Sequence, residues 1–207
     1  MSREDDRRDC LISRRRLLQG AASALAFSSA PAIVHALGDP KTGSLFTLGV
    51  ASGDPTARSV VLWTRLAPEP LSGGGLGSRN VLVDIEVALD PGFRHIVRTG
   101  RRFARAQDGH VVNVLLIGLP SDTQFYYRFR ALGQSSRIGI TRTFPSWWDS
   151  PEQVRFAVVS CQNYNQGYYT AFGDIVAQDV DFVIHTGDYI YEDGPPSIPI
   201  APSRQHD

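Results

Sequence analysis

Residues 181–193 read Asp181-Phe-Val-Ile-His-Thr-Gly-Asp188-Tyr-Ile-Tyr191-Glu-Asp193, and this stretch decides where the fold places its chemistry. An apolar run, typical of a buried β-strand, leads to Gly187, which permits a sharp turn because glycine has no Cβ. Asp188 therefore stands at the carboxyl end of a strand, where open α/β sheets bind their ligands. Tyr191 follows closely enough to share a ligand with Asp188. Oxygen donors grouped in this way suit a cation such as iron(III), calcium or manganese.

A second strand end precedes this one in the chain. Residues 154–160 predict a buried strand that ends at Cys161, and residues 167–178 have apolar side chains at helical spacing. With the strand at 181–185, they predict a β-α-β unit with a parallel pair and a right-handed crossover. Because the carboxyl ends of parallel strands lie at the same edge of a sheet, we expect Cys161 and Asp188 to lie close together.

Cys161, Asp188 and Tyr191 would then bring a thiol, a carboxylate and a phenol to one place. Such a set suits a cation of high charge, since iron(III) favours phenolate and carboxylate ligands. Each residue also has a purely structural interpretation. Cys161 could be a buried thiol, Asp188 a turn former and Tyr191 a packed ring. The three residues together favour a metal site.

Residues 41–150 have the pattern of an all-β module. Short segments rich in β-branched and aromatic residues alternate with glycine and proline turns, which is typical of a β-sandwich. We expect its first strand at 44–51. The run from Gly118 to Phe125 resembles the corner of a fibronectin type III domain, although that corner usually carries tyrosine where Phe125 stands.

Residues 1–36 predict a twin-arginine signal peptide. Residues 13–19 read Ser-Arg-Arg-Arg-Leu-Leu-Gln, which matches the twin-arginine pattern, and an uncharged stretch of small residues comes next. That stretch is shorter than the ~20 apolar residues of a membrane span. We therefore expect export to the periplasm or the medium, with no stable membrane anchor after cleavage.

The charge balance and the cysteines restrict the function further. The chain carries 21 basic and 21 acidic residues, and removal of residues 1–36 leaves 15 basic and 17 acidic ones. This balance indicates neither nucleic-acid binding nor strong attraction to a membrane surface. Of the two cysteines, Cys10 would leave with the signal peptide, so Cys161 is expected to be an unpaired thiol in an oxidising compartment.

Five short motifs succeed one another along the chain: Gly-Val-Ala-Ser-Gly-Asp-Pro at 49–55, Leu-Trp-Thr-Arg at 62–65, Phe-Ala-Val-Val-Ser-Cys-Gln at 156–162, Gly-Tyr-Tyr at 167–169 and His-Thr-Gly-Asp-Tyr-Ile-Tyr-Glu at 185–192. Together they resemble the N-terminal and catalytic domains of PhoD-type alkaline phosphatases, a family of the metallophosphatase superfamily. Purple acid phosphatases share the Gly-Asp-x-x-Tyr motif. They usually carry aspartate at the first strand end, where this chain has Ser-Cys-Gln, so the PhoD-type resemblance is favoured.

The resemblance implies an exported phosphatase that hydrolyses phosphomonoesters and phosphodiesters with iron(III) and calcium as cofactors. It implies that Cys161 and Tyr191 are iron ligands, and that Asp188 bridges iron to calcium and serves in catalysis. A phosphate ester would be the substrate, and the twin-arginine export machinery would be a partner.

Residues 151–207 are expected to be the incomplete start of an α/β metallophosphatase domain, because the resemblance implies further ligands from later strands. A truncated chain of this kind should bind metal weakly and hydrolyse little. The alternative is a non-enzymatic exported β-sandwich that binds wall polymer or a partner, with a vestigial tail.

Overall fold

The computed structural model describes residues 43–163 and 169–191. Within these two ranges the chain is mostly β-structure, with one α-helix and a short 3-10 turn at Ala106–Asp108. In chain order the other elements are β1 (Val50–Gly53), β2 (Ser59–Arg65), β3 (Val81–Ala88), β4 (Ile96–Ala104), β5 (Val111–Ile117), β6 (Gln124–Ala131), β7 (Gln134–Ser135), β8 (Gly139–Arg142), β9 (Phe156–Val159), α1 (Thr170–Ala177) and β10 (Phe182–His185).

Strands β1 to β8 form two antiparallel sheets that face each other. One sheet has the order β1-β2-β5, and the other has the order β4-β3-β6, with β7 and β8 both paired to β6. A single cluster of buried apolar side chains draws on both sheets, with Val60 and Leu62 from β2, and Ile85 and Phe129 from β3 and β6. Burial of this shared core between the sheets makes the module a β-sandwich.

Strand β3 shows how alternation fixes the register of the larger sheet. Its inward positions are buried apolar residues, namely Val81, Val83, Ile85 and Val87. The outward residues Asp84 and Glu86 pair with arginines on the two neighbouring strands: Arg101 Nε lies 2.8 Å from Asp84 Oδ1, and Arg128 Nε lies 2.6 Å from Glu86 Oε2. A shift of one residue would exchange the two sets, so the pattern specifies this register.

The first strand lies later than the sequence pattern predicts. Residues 45–48 form a turn, and β1 begins only at Val50. Leu45 and Phe46 are nevertheless buried in the core. Gly49 adopts φ +73° and donates its N–H to the Phe46 carbonyl at 3.0 Å, which closes the turn. The apolar pattern at 44–51 thus arises from a buried turn that leads into a shorter strand.

The corner before β6 is held without a tyrosine hydroxyl. Phe125 is fully buried in the core. Thr143 supplies the polar contacts instead: its hydroxyl donates to the Pro120 carbonyl at 2.7 Å and accepts the Thr123 N–H at 3.1 Å. The hydroxyl therefore satisfies two backbone groups of the corner that burial would otherwise leave unpaired.

Strands β9 and β10 are parallel, and α1 lies between them in the chain. This is the predicted order of strand, helix and strand. The helix begins at Thr170, later than predicted, and residues 164–168 lie outside the described ranges. The handedness of the crossover stays a prediction.

The two parallel strands were predicted to be buried, and this prediction is wrong for the described residues. No residue of β9, α1 or β10 is buried, and Val158 and Ile184 are 58% and 42% exposed. One short helix covers only part of a two-stranded sheet. The apolar sequence of these strands is typical of strands that pack against other elements. Among the described elements, few pack against them.

The start of β10 contacts the end of the sandwich. Arg142 donates to Asp122 at 2.7 Å and lies 3.5 Å from Asp181 through its other terminal nitrogen. The rings of Phe144 and Phe182 lie 5.3 Å apart. These contacts hold one end of β10, and the candidate site residues follow its other end.

The predicted signal peptide at 1–36 lies outside the described residues. Within residues 43–163 and 169–191, no helix has the length and apolar character needed to cross a membrane.

Tyr127 and Gly139 form a tight contact inside the sandwich. They are direct partners in the pairing of β6 with β8, and the Tyr127 ring lies over Gly139. A Cβ added at Gly139 would lie 2.2 Å from Tyr127 Cζ, well inside van der Waals contact. Burial raises the pKa of Tyr127 to about 12, so its hydroxyl stays protonated beside Ser52.

We expect Gly139→Ala to destabilise the chain by roughly 3 kcal/mol, because neither the buried ring nor the paired strand can yield. Gly53→Ala is the matched control, since a Cβ there meets nothing within 4 Å. Urea unfolding of both variants measures the difference. A Tyr127→Ala background should remove most of the Gly139→Ala penalty, and equal effects of the two glycine substitutions would contradict the assignment.

Candidate functional site

The carboxyl ends of β9 and β10 lie side by side. The strands are paired from Phe156 with Phe182 to Val159 with His185, so both end at the same level. Their backbone pairing continues past the strand ends: Thr186 N–H donates to the Val159 carbonyl at 2.9 Å, and Cys161 N–H donates to the Gly187 carbonyl at 3.1 Å. The two loops are therefore held together beyond the last strand residues.

Both loops adopt the left-handed backbone conformation at the residues of interest. Cys161 has φ +57° and Asp188 has φ +53°, and Gly187 between the strand and Asp188 has φ +130°. This conformation costs a residue with a Cβ about 1–2 kcal/mol. It persists where surrounding structure determines it, and such residues often mark functional sites.

Two side chains donate to one carboxylate oxygen of Asp188. Cys161 Sγ donates to Asp188 Oδ2 at 3.2 Å, although the residues are 27 positions apart. Tyr191 Oη donates to the same oxygen at 3.1 Å. The structure thus brings together the three residues that the sequence pattern predicts to be neighbours.

The neighbours of Tyr191 disfavour its ionised form. Hydrogen bonding with Cys161 is the largest cause that raises the pKa of Tyr191, and burial and the Asp188 carboxylate raise it further. A negative phenolate would face a second acidic group and a carboxylate at short range. In this arrangement the phenol keeps its proton unless positive charge enters the cluster.

The cluster is open to solvent. Cys161 and Asp188 are exposed, and Tyr191 is 37% exposed. The interpretation of Cys161 as a buried thiol is therefore wrong for the described structure. Across residues 43–163 and 169–191, no group of three histidine, cysteine, aspartate or glutamate side chains is placed to hold a metal ion.

The other polar residues near the cluster differ in how they are placed. Tyr189 is 64% exposed, and its ring lies edge-to-face on His185 with centroids 5.0 Å apart. Gln162 Nε2 donates to the Tyr189 carbonyl at 3.3 Å, which adds a further link between the loops. Glu192 and Asp193 lie outside the described residues.

His185 is a residue that sequence reasoning left without a role. It is the last residue of β10, and its Nδ1 accepts the N–H of Gly187 at 3.3 Å. The sequence contains one signal that could have indicated a role for His185: it ends a strand three residues before the candidate ligand Asp188. The spacing alone does not reveal which ring nitrogen points to the turn.

Two family models match the chain. Residues 30–145 match the N-terminal domain of PhoD-like phosphatases, and residues 156–206 match the PhoD-like phosphatase model. The second match includes all three residues of the cluster.

Individual proteins give the same result. Alkaline phosphatase D of Bacillus subtilis (strain 168) is 43% identical over 200 residues, which cover 93% of this chain and 34% of that protein. A solved structure of PhoD aligns with a TM-score of 0.70 and 50% identity over 72% of this chain and 28% of that one. The chain thus spans about a third of the length of its curated relative.

A fibronectin type III domain from the human KIAA0970 protein aligns less well. Its TM-score is 0.38 at 18% identity, over 55% of this chain and 82% of that one. The value is too low to establish a shared topology, so the resemblance to that fold stays a prediction. The first family model alone matches more than half of the residues of this chain. The chain therefore belongs to the PhoD-like phosphatase family.

Proposed function

We propose that this chain is the N-terminal part of an exported, metal-dependent phosphatase that hydrolyses phosphate esters. Residues 151–207 would be the start of its catalytic domain, and residues 41–150 its N-terminal β-sandwich domain. The observation that carries the proposal is the meeting of Cys161, Asp188 and Tyr191 at one carboxylate oxygen. Membership of the family supplies the class of reaction.

The residues present fit an iron(III) centre by the chemistry of their donors. The thiol of Cys161 and the phenol of Tyr191 both donate their protons to Asp188 Oδ2. A cation that replaced those two protons would therefore meet sulfur, phenol oxygen and carboxylate oxygen together. Cys161 and Tyr191 would be iron ligands, and Asp188 would lie between iron and calcium and serve as the catalytic residue. When bound, the cations would supply positive charge that polarises a phosphoryl oxygen and activates water.

The chain's own residues set the conditions for such a site. Asp188 orients the thiol and the phenol before any cation arrives, because both donate to the same oxygen. Deprotonation of the two donors would release protons on binding.

Binding of iron(III) to the 207-residue chain tests this site. An iron(III) phenolate absorbs visible light, so we expect a visible band when iron(III) is supplied as a weak chelate. Tyr191→Phe should remove the phenolate band, and Cys161→Ser and Asp188→Asn should each weaken binding about tenfold or more.

Tyr189→Phe is the matched control for that titration. It removes an exposed phenol two residues from Tyr191 and should leave the band unchanged. A band that depends on Tyr189, or the absence of any band in the unaltered chain, would contradict the assignment of the ligands.

The extent of the chain bears on its activity. Because it spans about a third of its curated relative, we propose that the 207-residue chain alone holds metal weakly and hydrolyses little. With iron(III) and calcium supplied, we expect its turnover of p-nitrophenyl phosphate to match that of its Asp188→Asn variant.

A longer product of the same coding sequence should behave differently. If reading beyond codon 207 adds the remaining ligands, Asp188→Asn should lower its kcat about a hundredfold or more. Robust, Asp188-dependent turnover by the 207-residue chain would refute the idea that it is incomplete. A longer coding sequence without histidine and carboxylate ligands would favour the non-enzymatic β-sandwich.

We also propose that residues 1–36 direct export through the twin-arginine machinery to the periplasm or the medium. Replacing Arg14 and Arg15 together by lysine should retain the uncleaved precursor in the cytoplasm, because the pattern requires the guanidinium pair. Arg16→Lys, at the variable position of the pattern, is the matched control. Fractionation and immunoblotting measure the outcome, and export that survives the double substitution would contradict the proposal.

A further inference from the structure

His185 contacts the turn that carries Asp188 without belonging to the donor cluster. It is the last residue of β10, and its Nδ1 accepts the Gly187 N–H at 3.3 Å. Its ring is half-buried and rests edge-to-face against Tyr189, with centroids 5.0 Å apart. The ring is thus fixed on one side by a hydrogen bond and on the other by an aromatic contact.

The hydrogen bond favours one tautomer of the neutral ring. Because Nδ1 accepts a hydrogen bond from the Gly187 N–H, the neutral imidazole carries its own proton on Nε2. Nε2 is buried and has no hydrogen-bond partner among the described residues. The lone pair on Nδ1 is occupied and Nε2 bears a proton, so neither nitrogen is arranged to bind a cation.

The amide that His185 holds is central to the cluster. Gly187 has φ +130°, and its carbonyl accepts the N–H of Cys161 at 3.1 Å. The next residue is Asp188, whose φ is +53°. One hydrogen bond to the Gly187 N–H therefore restrains both the loop that carries the thiol and the residue that carries the carboxylate.

We propose that His185 is a positioning residue, which fixes the turn at Gly187 so that Asp188 Oδ2 meets the thiol of Cys161 and the phenol of Tyr191. Its effect on the turn is independent of any metal. Its effect on iron binding rests on the proposed function.

Two substitutions separate the ring nitrogens. In His185→Asn the amide oxygen occupies the place of Nδ1 and can accept the Gly187 N–H. In His185→Gln a polar atom occupies the place of Nε2, and the place of Nδ1 is empty. Both variants lack the imidazole ring and therefore lose the ring contact with Tyr189. A difference between them reports on the hydrogen bond to the Gly187 N–H and not on that contact.

The first measurement uses the 207-residue chain without metal. In ¹H–¹⁵N spectra, His185→Gln should shift the Gly187 amide and speed its hydrogen exchange about tenfold. His185→Asn should keep both close to the unaltered chain. The Gly139 amide, inside the sandwich, reports whether each variant is folded.

The second measurement is the iron(III) titration. We expect His185→Gln to weaken binding about tenfold and His185→Asn to weaken it threefold or less. The proposal is overturned if the Gly187 amide is unmoved in His185→Gln, or if Gln retains iron binding while Asn loses it, since Nε2 would then be the active nitrogen. If the unaltered chain binds no iron while the Gly187 amide responds as expected, the positioning role stands and the proposed metal site fails.

Discussion

The parallel pairing of β9 with β10 is the constraint on which the candidate site depends. The pairing fixes the register from Phe156 with Phe182 to Val159 with His185, and backbone hydrogen bonds continue it into both loops. The bond from Cys161 N–H to the Gly187 carbonyl is the decisive one, because it forms where both chains leave the sheet. Continued past the strands, this register places Cys161 opposite Gly187, so a slip of one residue would break that bond and move the thiol away from the Asp188 carboxylate.

The β-sandwich supports this pair from its opposite end. Arg142 and Asp181 are both partly exposed, so their ion pair contributes at most about 1 kcal/mol. The Phe182 ring lies 5.3 Å from Phe144 and stacks on Phe156 at 5.5 Å. Aromatic pairs contribute about 0.5–1.5 kcal/mol each beyond the area they bury. Phe156 belongs to β9, so the contact of Phe182 with Phe144 and the ion pair of Arg142 with Asp181 contribute comparably to the position of β10 on the sandwich.

Periodicity and topology make part of this structure predictable from the sequence. Prediction fails where the outcome depends on the orientation of a side chain or on which elements pack against a strand. The alternation in β3 predicts its buried face, and two parallel strand ends predict that Cys161 and Asp188 are neighbours. The first strand is misplaced because Leu45 and Phe46 are apolar in a buried turn, and apolar spacing does not distinguish a turn from a strand. The exposure of Val158 and the hydrogen bond of His185 depend on the neighbours of each residue in space. The spacing of residue types along the sequence does not reveal those neighbours.

The cluster places a thiol and a phenol against one carboxylate oxygen, and these three acidic groups determine how strongly it attracts a cation. Without one, Asp188 Oδ2 accepts the protons of a thiol and a phenol, and the same neighbours raise the pKa of Tyr191. A cation inverts that balance, because groups that repel each other as anions all attract it. Water weakens both the repulsion and the attraction where the groups are exposed. The strength of any metal site built on Cys161, Asp188 and Tyr191 therefore depends on how well water is excluded from this edge of the sheet, as well as on the number of ligands.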